Sequence, residues 1–539
     1  MNIKIVSSLE KIFKNDYLRN IKCINEYTAL KNEIFSFQII INSLENKKIM
    51  INDFTDGINI RKVCMMPSNK AVFEEKYDDF YITDKPGLFP DLLAPIEENI
   101  INVDSNNTVL WINLSTNDFL VGLNKIEISF KDIETKKLFS ISLNLKIIDI
   151  ILPSSDLIYS NWLYADCIAN YYKLNTKSNE HWNWIEKFIK RASKLGINMI
   201  LVPIFTLPLD TAINHERSTF QLINIKVEDG KYIFDFTDFE KWINICKKYN
   251  IKYYEIGHLF TQWGAKATPK IEANVDGINK KIFGWNIASN SEEYKSFLYD
   301  FLPSLDEELE KLNISKETYF HISDEPNTND LNNYSYAKKL INNILHKKYK
   351  IIDASSSVEL YEKKIVETPI PATSKYEPFY KKRLKERWCY YCGYNSYLVS
   401  NRLFSMPSYR NRIFGIQLYY IGIIGFIHWG FNFYNSQYSL KNINPFEITD
   451  GDNWVPSGDP FIVYPGETEV LDSIRGIIFY EGLQDRMLLK LLEKKIGRKK
   501  VINLINKVAQ QKIDFKNYPR NAEFIINLRE RVINLLEVN

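Results

Sequence analysis

Residues 182–205 read WNWIEKFIKRASKLGINMILVPIF, and this stretch decides the predicted fold. Apolar residues recur at three-to-four spacing over residues 182–195, which is typical of an amphipathic helix. A nearly continuous apolar run follows over residues 198–205. Such a run after a helical window is typical of a strand that is covered on both faces of a parallel sheet. The stretch therefore predicts one helix followed by one parallel strand.

The same alternation extends in both directions from this stretch. Helical windows lie at residues 239–249, 292–312 and 332–345. Apolar runs that qualify as strands lie at residues 157–163, 198–205, 252–258, 318–322, 350–353, 364–368, 387–391 and 422–429. Alternating strands and helices predict a parallel sheet. An open doubly wound sheet also fits, but the eight runs, with no Gly-x-Gly-x-x-Gly after the first, favour a (β/α)8 TIM barrel.

The residues before Pro153 follow a different pattern. Short alternating or β-branched runs, separated by Asn-rich stretches, lie at residues 35–41, 109–114, 125–130 and 138–148. Repeated short strands of this kind favour an antiparallel β-sandwich. Because proline cannot continue a strand ladder, Pro153 marks a domain boundary. We predict a β-sandwich at residues 1–152, a catalytic barrel with closing helices at 153–497, and C-terminal helices packed on the barrel at 498–539.

The composition excludes several classes of protein. The 539 residues, of which 45% are hydrophobic, suffice for roughly two to four domains. Lys and Arg number 69 against 66 Asp and Glu, so no net field attracts nucleic acid or an anionic membrane. Six unevenly spaced cysteines predict reduced thiols. Since neither a signal peptide nor an apolar span of about 20 residues is found, we expect a cytoplasmic protein of unknown oligomeric state.

The fourth strand of the predicted barrel ends in an acidic pair, Asp324-Glu325, followed by Pro326. Reactive groups in such barrels project from the carboxyl ends of the strands. Adjacent carboxylates raise each other's proton affinity, and one of them can then serve as a general acid. Both reach one pocket only if the strand has ended, which Pro326 favours. The alternative is that Asp324 caps a helix starting near Asn327 and Glu325 lies in its first turn.

Other predicted strand ends carry polar and aromatic residues that suit a sugar. His258 ends the third run and Trp263 follows it, Tyr391 ends the seventh, and Trp429 ends the eighth, with Asn432 after it. Aromatic rings offer flat apolar faces to a sugar, whereas Tyr and Asn can hydrogen-bond its hydroxyl groups. A lone histidine such as His258 is more often structural than catalytic. We expect these residues to form a substrate-binding site.

No motif indicates a cofactor or a metal. Cys389 and Cys392 form a Cys-x-x-Cys, but no second pair or His-x-x-x-His lies at a suitable spacing, so packing of a strand explains them better. Phosphate-binding loops, the Gly-x-Ser-x-Gly elbow and His-Glu-x-x-His do not occur in the sequence. We therefore expect no cofactor and no metal, and we expect neither nucleic acid nor membrane as a partner.

A set of motifs in the second half of the chain resembles glycoside hydrolase family 123 and its uncharacterised relatives. The motifs are Phe320-His-Ile-Ser-Asp-Glu-Pro326, Glu255-Ile-Gly-His258 through Trp263-Gly264, Trp388 to Gly393, His428-Trp-Gly-Phe-Asn432, Gly458-Asp459 through Tyr464-Pro465-Gly466, and Ser473-Ile-Arg475 through Gly482-Leu-Gln-Asp485. The resemblance implies a β-sandwich joined to a (β/α)8 barrel. It also implies removal of terminal β-linked N-acetylgalactosamine from a glycan with retention of configuration.

The resemblance further implies a substrate-assisted mechanism. Glu325 would protonate the departing glycosidic oxygen and then deprotonate the incoming water. Asp324 would hold the 2-acetamido nitrogen while the acetamido oxygen attacks the anomeric carbon, a known exception to the rule of two catalytic carboxylates. Tyr391, or failing it Tyr390 or Tyr394, would orient the acetamido oxygen.

Two other functions fit the same residues. One is a conventional retaining or inverting glycosidase with Glu325 as the acid and Asp353, Glu447 or Asp452 as nucleophile or base. The other is a carbohydrate-binding protein that keeps the barrel without catalysis. Hydrolysis of substrates with and without the 2-acetamido group distinguishes all three.

Overall fold

The computed structural model describes residues 2–18, 21–262, 264–325 and 331–538. Its strands are β1 (Asn2–Ser7), β2 (Glu26–Lys31), β3 (Ile34–Asn42), β4 (Lys47–Phe54), β5 (Ile58–Ser68), β6 (Gly87–Ala94), β7 (Ile100–Val103), β8 (Asn107–Ser115), β9 (Gly122–Asp132), β10 (Leu138–Ile151), β11 (Ile158–Asn161), β12 (Met199–Val202), β13 (Asn224–Glu228), β14 (Lys231–Asp235), β15 (Tyr253–Ile256), β16 (Ile271–Val275), β17 (Ile278–Phe283), β18 (Thr318–Phe320), β19 (Lys350–Asp353), β20 (Thr368–Pro369), β21 (Trp388–Tyr390), β22 (Gly425–His428), β23 (Val463–Pro465) and β24 (Val470–Asp472). Its helices are α1 (Ala165–Tyr172), α2 (Asn179–Lys194), α3 (Thr237–Lys248), α4 (Glu292–Lys311), α5 (Leu331–Ile344), α6 (Val358–Glu362), α7 (Ser408–Arg412), α8 (Phe414–Ile421), α9 (Ile474–Ile496), α10 (Arg498–Ala509) and α11 (Ala522–Glu537).

Two five-stranded sheets form the N-terminal part of the molecule, in the orders β1-β3-β8-β5-β6 and β2-β10-β9-β4-β7. Their pairs are antiparallel, as predicted, except that β2 lies parallel to β10. One hydrophobic cluster includes residues of both sheets, for example Leu110 and Ile128. In β9, alternate residues such as Ile126, Ile128 and Phe130 are buried, which is the period of a strand with one covered face.

Eight parallel strands form a barrel-like sheet in the order β20-β19-β18-β15-β12-β11-β22-β21. Between its two edge strands, an isolated parallel bridge joins Ala372 to Tyr390, and the Tyr390 amide donates to the carbonyl of Pro371 over 3.1 Å. The sheet is therefore nearly closed. Gly425 of β22 lies against Trp388 of β21, where a Cβ atom would be 2.2 Å from the indole, so only glycine fits there.

Each barrel strand lies within or beside one of the predicted apolar runs. The largest displacement concerns the sixth run, expected at residues 364–368 and found as Thr368–Pro369. Residues before it bond back to α6 instead, since the amides of Ile365 and Val366 both donate to the carbonyl of Leu360. The helices α2 to α4 begin and end within three residues of the predicted windows, and α5 ends one residue before the end of its window.

Four strands form a further sheet that the sequence patterns did not predict, in the order β14-β13-β16-β17. It consists of two hairpins inserted after β12 and β15. Most side chains of β14 and β17 are exposed or half-buried, so their apolar period is weak. Each hairpin nevertheless turns at an Asp-Gly pair with two positive φ angles, 48° and 73° at Asp229-Gly230 and 50° and 85° at Asp276-Gly277. Asp-Gly is a strong hairpin signal.

The N-terminal sheets are joined to the barrel by buried ion pairs. The guanidinium of Arg475 in α9 contacts Asp91 of β6 at 2.8 Å, and Arg410 of α7 contacts Asp78 at 2.8 Å. Asp78 lies in the connection between β5 and β6, and its carboxylate also accepts the amide of Leu398 at 2.8 Å. These contacts hold that connection over the barrel. Within the ranges that the structure describes, no helix has the length and apolar content needed to cross a membrane.

Candidate active site

A cavity of about 320 Å³ opens where the carboxyl ends of the barrel strands meet. Most of its walls come from segments that follow barrel strands, and Phe73 comes from the connection between β5 and β6. The lining residues are Phe73, Trp162, Tyr164, Leu209, Asp210, Gln262, His321, Asp324, Glu325, Ala354, Tyr390, Cys392, Tyr394, Ile427, Trp429, Trp454, Val455 and Asp459.

Asp324 and Glu325 both line this cavity, because β18 has already ended at Phe320. Glu325 has a φ of 46°, in the left-handed region, and this turn lets neighbouring side chains reach the same space. The Ser323 hydroxyl donates to the carbonyl of Thr261 over 2.9 Å and fixes the segment to the loop after β15. The described part of α5 begins at Leu331, so the predicted helix start near Asn327 and Pro326 lie outside the described residues.

Asp324, the first residue of the acidic pair, holds a proton at neutral pH. Removal from water and, second, the adjacent carboxyl group of Glu325 together raise the pKa of Asp324 to about 8, whereas the charge of His321 opposes the shift. Two carboxylates this close cannot both ionise at neutral pH without a large repulsion. Asp324 therefore brings an acidic proton to the cavity at neutral pH.

Tyr390 fixes the orientation of Glu325. Its hydroxyl donates to the Oε1 atom of Glu325 over 2.8 Å. Burial, together with the nearby charge of Glu325, raises the pKa of this hydroxyl well above its ordinary value. Tyr390 is therefore a permanent hydrogen-bond donor to the exposed carboxyl group of the pair.

A buried imidazolium lies beneath the pair. The Nε2 atom of His321 contacts Glu255, and its Nδ1 atom lies 3.5 Å from Asp353. Burial lowers the pKa of His321, but both carboxylates are fully buried and together raise it to about 10. Glu255 also accepts the indole of Trp162 at 2.8 Å and the hydroxyl of Ser160 at 2.6 Å. This network fixes a positive charge on the floor of the cavity.

His258 lies below this floor and does not line the cavity. Its ring stacks on His321 with the centroids 4.3 Å apart and the planes 16° apart. Burial and the charge of His321 lower its pKa well below the ordinary value, so it is neutral. Neither of its ring nitrogens has a hydrogen-bond partner within the described ranges. Trp263, predicted on the same loop, lies outside the described residues.

Trp429 and Trp454 form an aromatic wall of the cavity, with ring centroids 5.2 Å apart. The indole of Trp429 donates to the Oδ2 atom of Asp459 over 3.1 Å. The Oδ1 atom of Asp459 lies 3.3 Å from Nε2 of His428, whose pKa is lowered to about 3 by burial and by the charge of Arg402. Asp459 therefore holds Trp429 in place, with a neutral imidazole beside it.

Two predicted binding residues lie away from the cavity. The side-chain oxygen of Asn432 accepts the amide of Tyr164 at 2.8 Å, and its nitrogen donates to the same residue's carbonyl at 3.0 Å, so Asn432 positions the Tyr164 loop. Tyr391 is fully buried, with its ring 5.0 Å from that of Phe426. Successive side chains of a strand point to opposite faces, so Tyr390 faces the cavity and Tyr391 does not.

Two lining residues, Asp210 and Gln262, carry no role in the sequence-based prediction. Burial raises the pKa of Asp210 to about 7. Its backbone amide donates to Oε1 of Gln262 over 2.6 Å. Gln262 is 5% exposed, and its Nε2 atom has no partner among the residues that the structure describes. Both residues follow barrel strands, and this position is the one signal in the sequence that could have identified them. Together they can bind a sugar hydroxyl.

The carboxylates proposed for a conventional glycosidase do not line the cavity. Asp353 is fully buried beneath His321, and Asp452 is exposed and forms an ion pair of 2.6 Å with Lys441. Glu447 is also exposed elsewhere on the surface. Of the Cys-x-x-Cys pair, Cys389 is buried in β21 whereas Cys392 lines the cavity, and all six cysteines are free.

Comparisons with known proteins show similarity over nearly the whole chain. A family model described as the catalytic domain of glycoside hydrolase 123 matches residues 162–492. The structure of a family 123 glycoside hydrolase from Clostridium perfringens, reported for glycolipid glycan hydrolysis, matches with a TM-score of 0.73 and 16% identity, over 99% of this chain and 97% of that chain. An endo-β-1,4-mannanase from Thermotoga petrophila matches with a TM-score of 0.35 and 13% identity, over 62% of this chain and 77% of that chain. No curated protein matches the chain.

Proposed function

This chain belongs to glycoside hydrolase family 123 and is a glycosidase, and from that premise we propose that it removes a terminal β-linked N-acetylhexosamine, first of all N-acetylgalactosamine, from a glycan. The observation that carries the proposal is the contiguous pair Asp324 and Glu325, which lines one cavity and in which the pKa of Asp324 is raised to about 8. The glycan of a glycolipid, on which the Clostridium perfringens enzyme was studied, is the substrate class that we propose for this chain.

The contiguous pair supports substrate-assisted catalysis. Ordinary retaining enzymes place a second carboxylate about 5–5.5 Å from the acid, on the other side of the bond. Here the two carboxyl groups are neighbours on one segment, so the acetamido oxygen of the sugar serves as the nucleophile. Its bond to the anomeric carbon forms as the glycosidic bond breaks, and Glu325 gives its proton to the departing oxygen. Water then opens the oxazolinium ring and returns a proton to Glu325.

Asp324 stabilises the reacting amide in this scheme. When the acetamido N–H donates to Asp324, the carboxylate form is favoured there and the shared proton moves to Glu325. The negative charge of Asp324 then stabilises the positive charge that develops on the oxazolinium. Tyr390 holds Glu325 while Glu325 is ionised. Once the proton has moved to Glu325, the single O–H of Tyr390 turns to the acetamido oxygen, and we assign that contact to Tyr390 among the three tyrosines considered. Trp429 packs against the sugar ring.

A panel of aryl β-glycosides with and without the 2-acetamido group tests the proposal. We expect turnover of the N-acetylgalactosaminide and none of the matching galactoside, because only the first carries its own nucleophile. Release of the aryl group is followed by absorbance. Equal turnover of both would indicate a conventional glycosidase, and binding without turnover of either would indicate a carbohydrate-binding protein.

We expect kcat/KM to fall above about pH 8. The pKa of Asp324 is raised to about 8, so the pair keeps its shared proton below that pH and loses it above. Without that proton, Glu325 has nothing to give to the departing oxygen. The measurement is kcat/KM for the aryl N-acetylgalactosaminide between about pH 5 and about pH 10. A rate that stays level well above pH 8 would contradict the shared proton.

The same proposal extends to the architecture. We infer that the barrel-like sheet is a (β/α)8 barrel, supported by the bridge between Ala372 and Tyr390. The division into domains at residues 1–152, 153–497 and 498–539 and the cytoplasmic location stay predictions.

A further inference from the structure

We propose that Phe73 and Tyr394 form the subsite for the sugar that leaves, so that the enzyme prefers a glycan of at least two sugar rings to a terminal sugar on a leaving group that makes no contact there. This inference rests on the proposed function and adds the recognition of the second ring. Phe73 belongs to the connection between β5 and β6, and Tyr394 belongs to the segment after β21. Both line the cavity.

The two aromatic rings form one surface at the mouth of the cavity. Their centroids are 5.7 Å apart, and the ring planes meet at 73°. Tyr394 is 51% exposed, and Phe73 is half-buried. Large aromatic residues that stay exposed beside a cavity are typical of binding sites. Their apolar surface is then buried when the ligand binds.

The position of this surface relative to Glu325 indicates that its ligand is the departing sugar. Glu325 is exposed, and it must reach the oxygen that joins the terminal sugar to the next one. The terminal sugar occupies the interior of the cavity, beside Asp324, so the next ring lies on the solvent side of Glu325. Tyr390, which holds Glu325, is on the same strand end as Tyr394. The departing sugar therefore lies next to Tyr394.

The surface is fixed before any ligand binds. The Nζ atom of Lys70 lies 4.5 Å from the centre of the Phe73 ring, and that of Lys76 lies 4.6 Å from the centre of the Tyr394 ring. The carboxylate of Asp450 accepts the backbone amide of Lys70 at 2.9 Å and ties the segment to the barrel. Rings that are already ordered lose little entropy on binding. Their flat apolar faces suit the C–H face of a pyranose, whose hydroxyl groups stay in water.

The test compares a substrate with a leaving sugar and an inhibitor without one. The substrate is a disaccharide of N-acetylgalactosamine β-linked to galactose, and the inhibitor is the thiazoline analogue of N-acetylgalactosamine, which fills only the interior of the cavity. For Tyr394→Ala and Phe73→Ala we expect kcat/KM for the disaccharide to fall about 5-fold to 10-fold. We expect the Ki of the thiazoline to stay within about 2-fold of the wild-type value.

Two further variants serve as controls. Tyr394→Phe keeps the ring and should keep the activity on the disaccharide. Tyr397 is 46% exposed on the same segment without lining the cavity, so Tyr397→Ala should match the wild type on both probes.

Three results would overturn the subsite. The first is an unchanged kcat/KM for the disaccharide in both alanine variants. The second is a loss of thiazoline affinity equal to the loss of kcat/KM, which would place Tyr394 at the acetamido group. The third is a loss of activity that is confined to glycolipid in vesicles, which would make the surface a lipid contact. If the thiazoline fails to bind the wild type, the proposed function is wrong instead.

Discussion

Glu325→Gln should lower kcat/KM for the disaccharide by at least about 10²-fold, and by up to about 10⁴-fold. A sugar leaves as a strongly basic alkoxide unless it is protonated as the bond breaks. Glu325 is the exposed member of the pair, and the hydrogen bond from Tyr390 fixes it at the mouth of the cavity. Glutamine keeps the size of the side chain and accepts the same hydrogen bond, but it has no proton to transfer.

The dependence on the leaving group identifies the role of Glu325. With a dinitrophenyl leaving group, which departs without protonation, the same variant should lose only about 10-fold or less in the first step. Equal losses for the disaccharide and the dinitrophenyl glycoside would show that Glu325 is not the acid. Glu307→Gln is the matched control, because Glu307 is exposed on α4 and does not line the cavity.

The strands of the barrel were predictable because they are buried on both faces. A strand such as Met199–Val202, buried at every position, is a continuous apolar run in the sequence. The inserted hairpins were missed for the opposite reason, since all residues of β14 and all but the last residue of β17 are exposed or half-buried. Their Asp-Gly turns were the available signal.

The acidic pair was predictable because it depends only on chain order after a strand. The choice between Tyr390 and Tyr391 depends on which residue at the end of β21 faces the cavity, and a shift of one residue reverses the answer. His258 is on the expected loop but lies under His321. Its position depends on how two neighbouring strands pack, and the sequence does not reveal that packing. Phe73 reaches the cavity from a distant part of the chain, through the contact of Asp78 with Arg410, and no local pattern indicates this.

Asp324→Asn should lower kcat/KM for N-acetyl substrates by about 10²-fold or more. The oxazolinium carries a positive charge. In the proposed scheme the carboxylate of Asp324 lies beside this charge in the interior of the cavity. Asparagine has nearly the same shape but no charge, so binding of the disaccharide should change less than kcat does. Initial rates on the disaccharide separate the two parameters, and Asp300→Asn, on the exposed face of α4, is the matched control.

Two further measurements on Asp324→Asn, the affinity for the thiazoline and the pH profile, separate a role in the mechanism from a structural role. A purely structural role for Asp324 would not change both of them together. The thiazoline resembles the charged intermediate, so its affinity should fall with kcat, since both depend on the same charge. The pKa of about 8 belongs to Asp324, and the decline of kcat/KM should therefore move away from pH 8 in Asp324→Asn, where Glu325 must still carry a proton to act as the acid. Wild-type rates on N-acetyl substrates, or a retained decline at pH 8, would remove Asp324 from the mechanism and leave the contiguous pair without the function proposed for it.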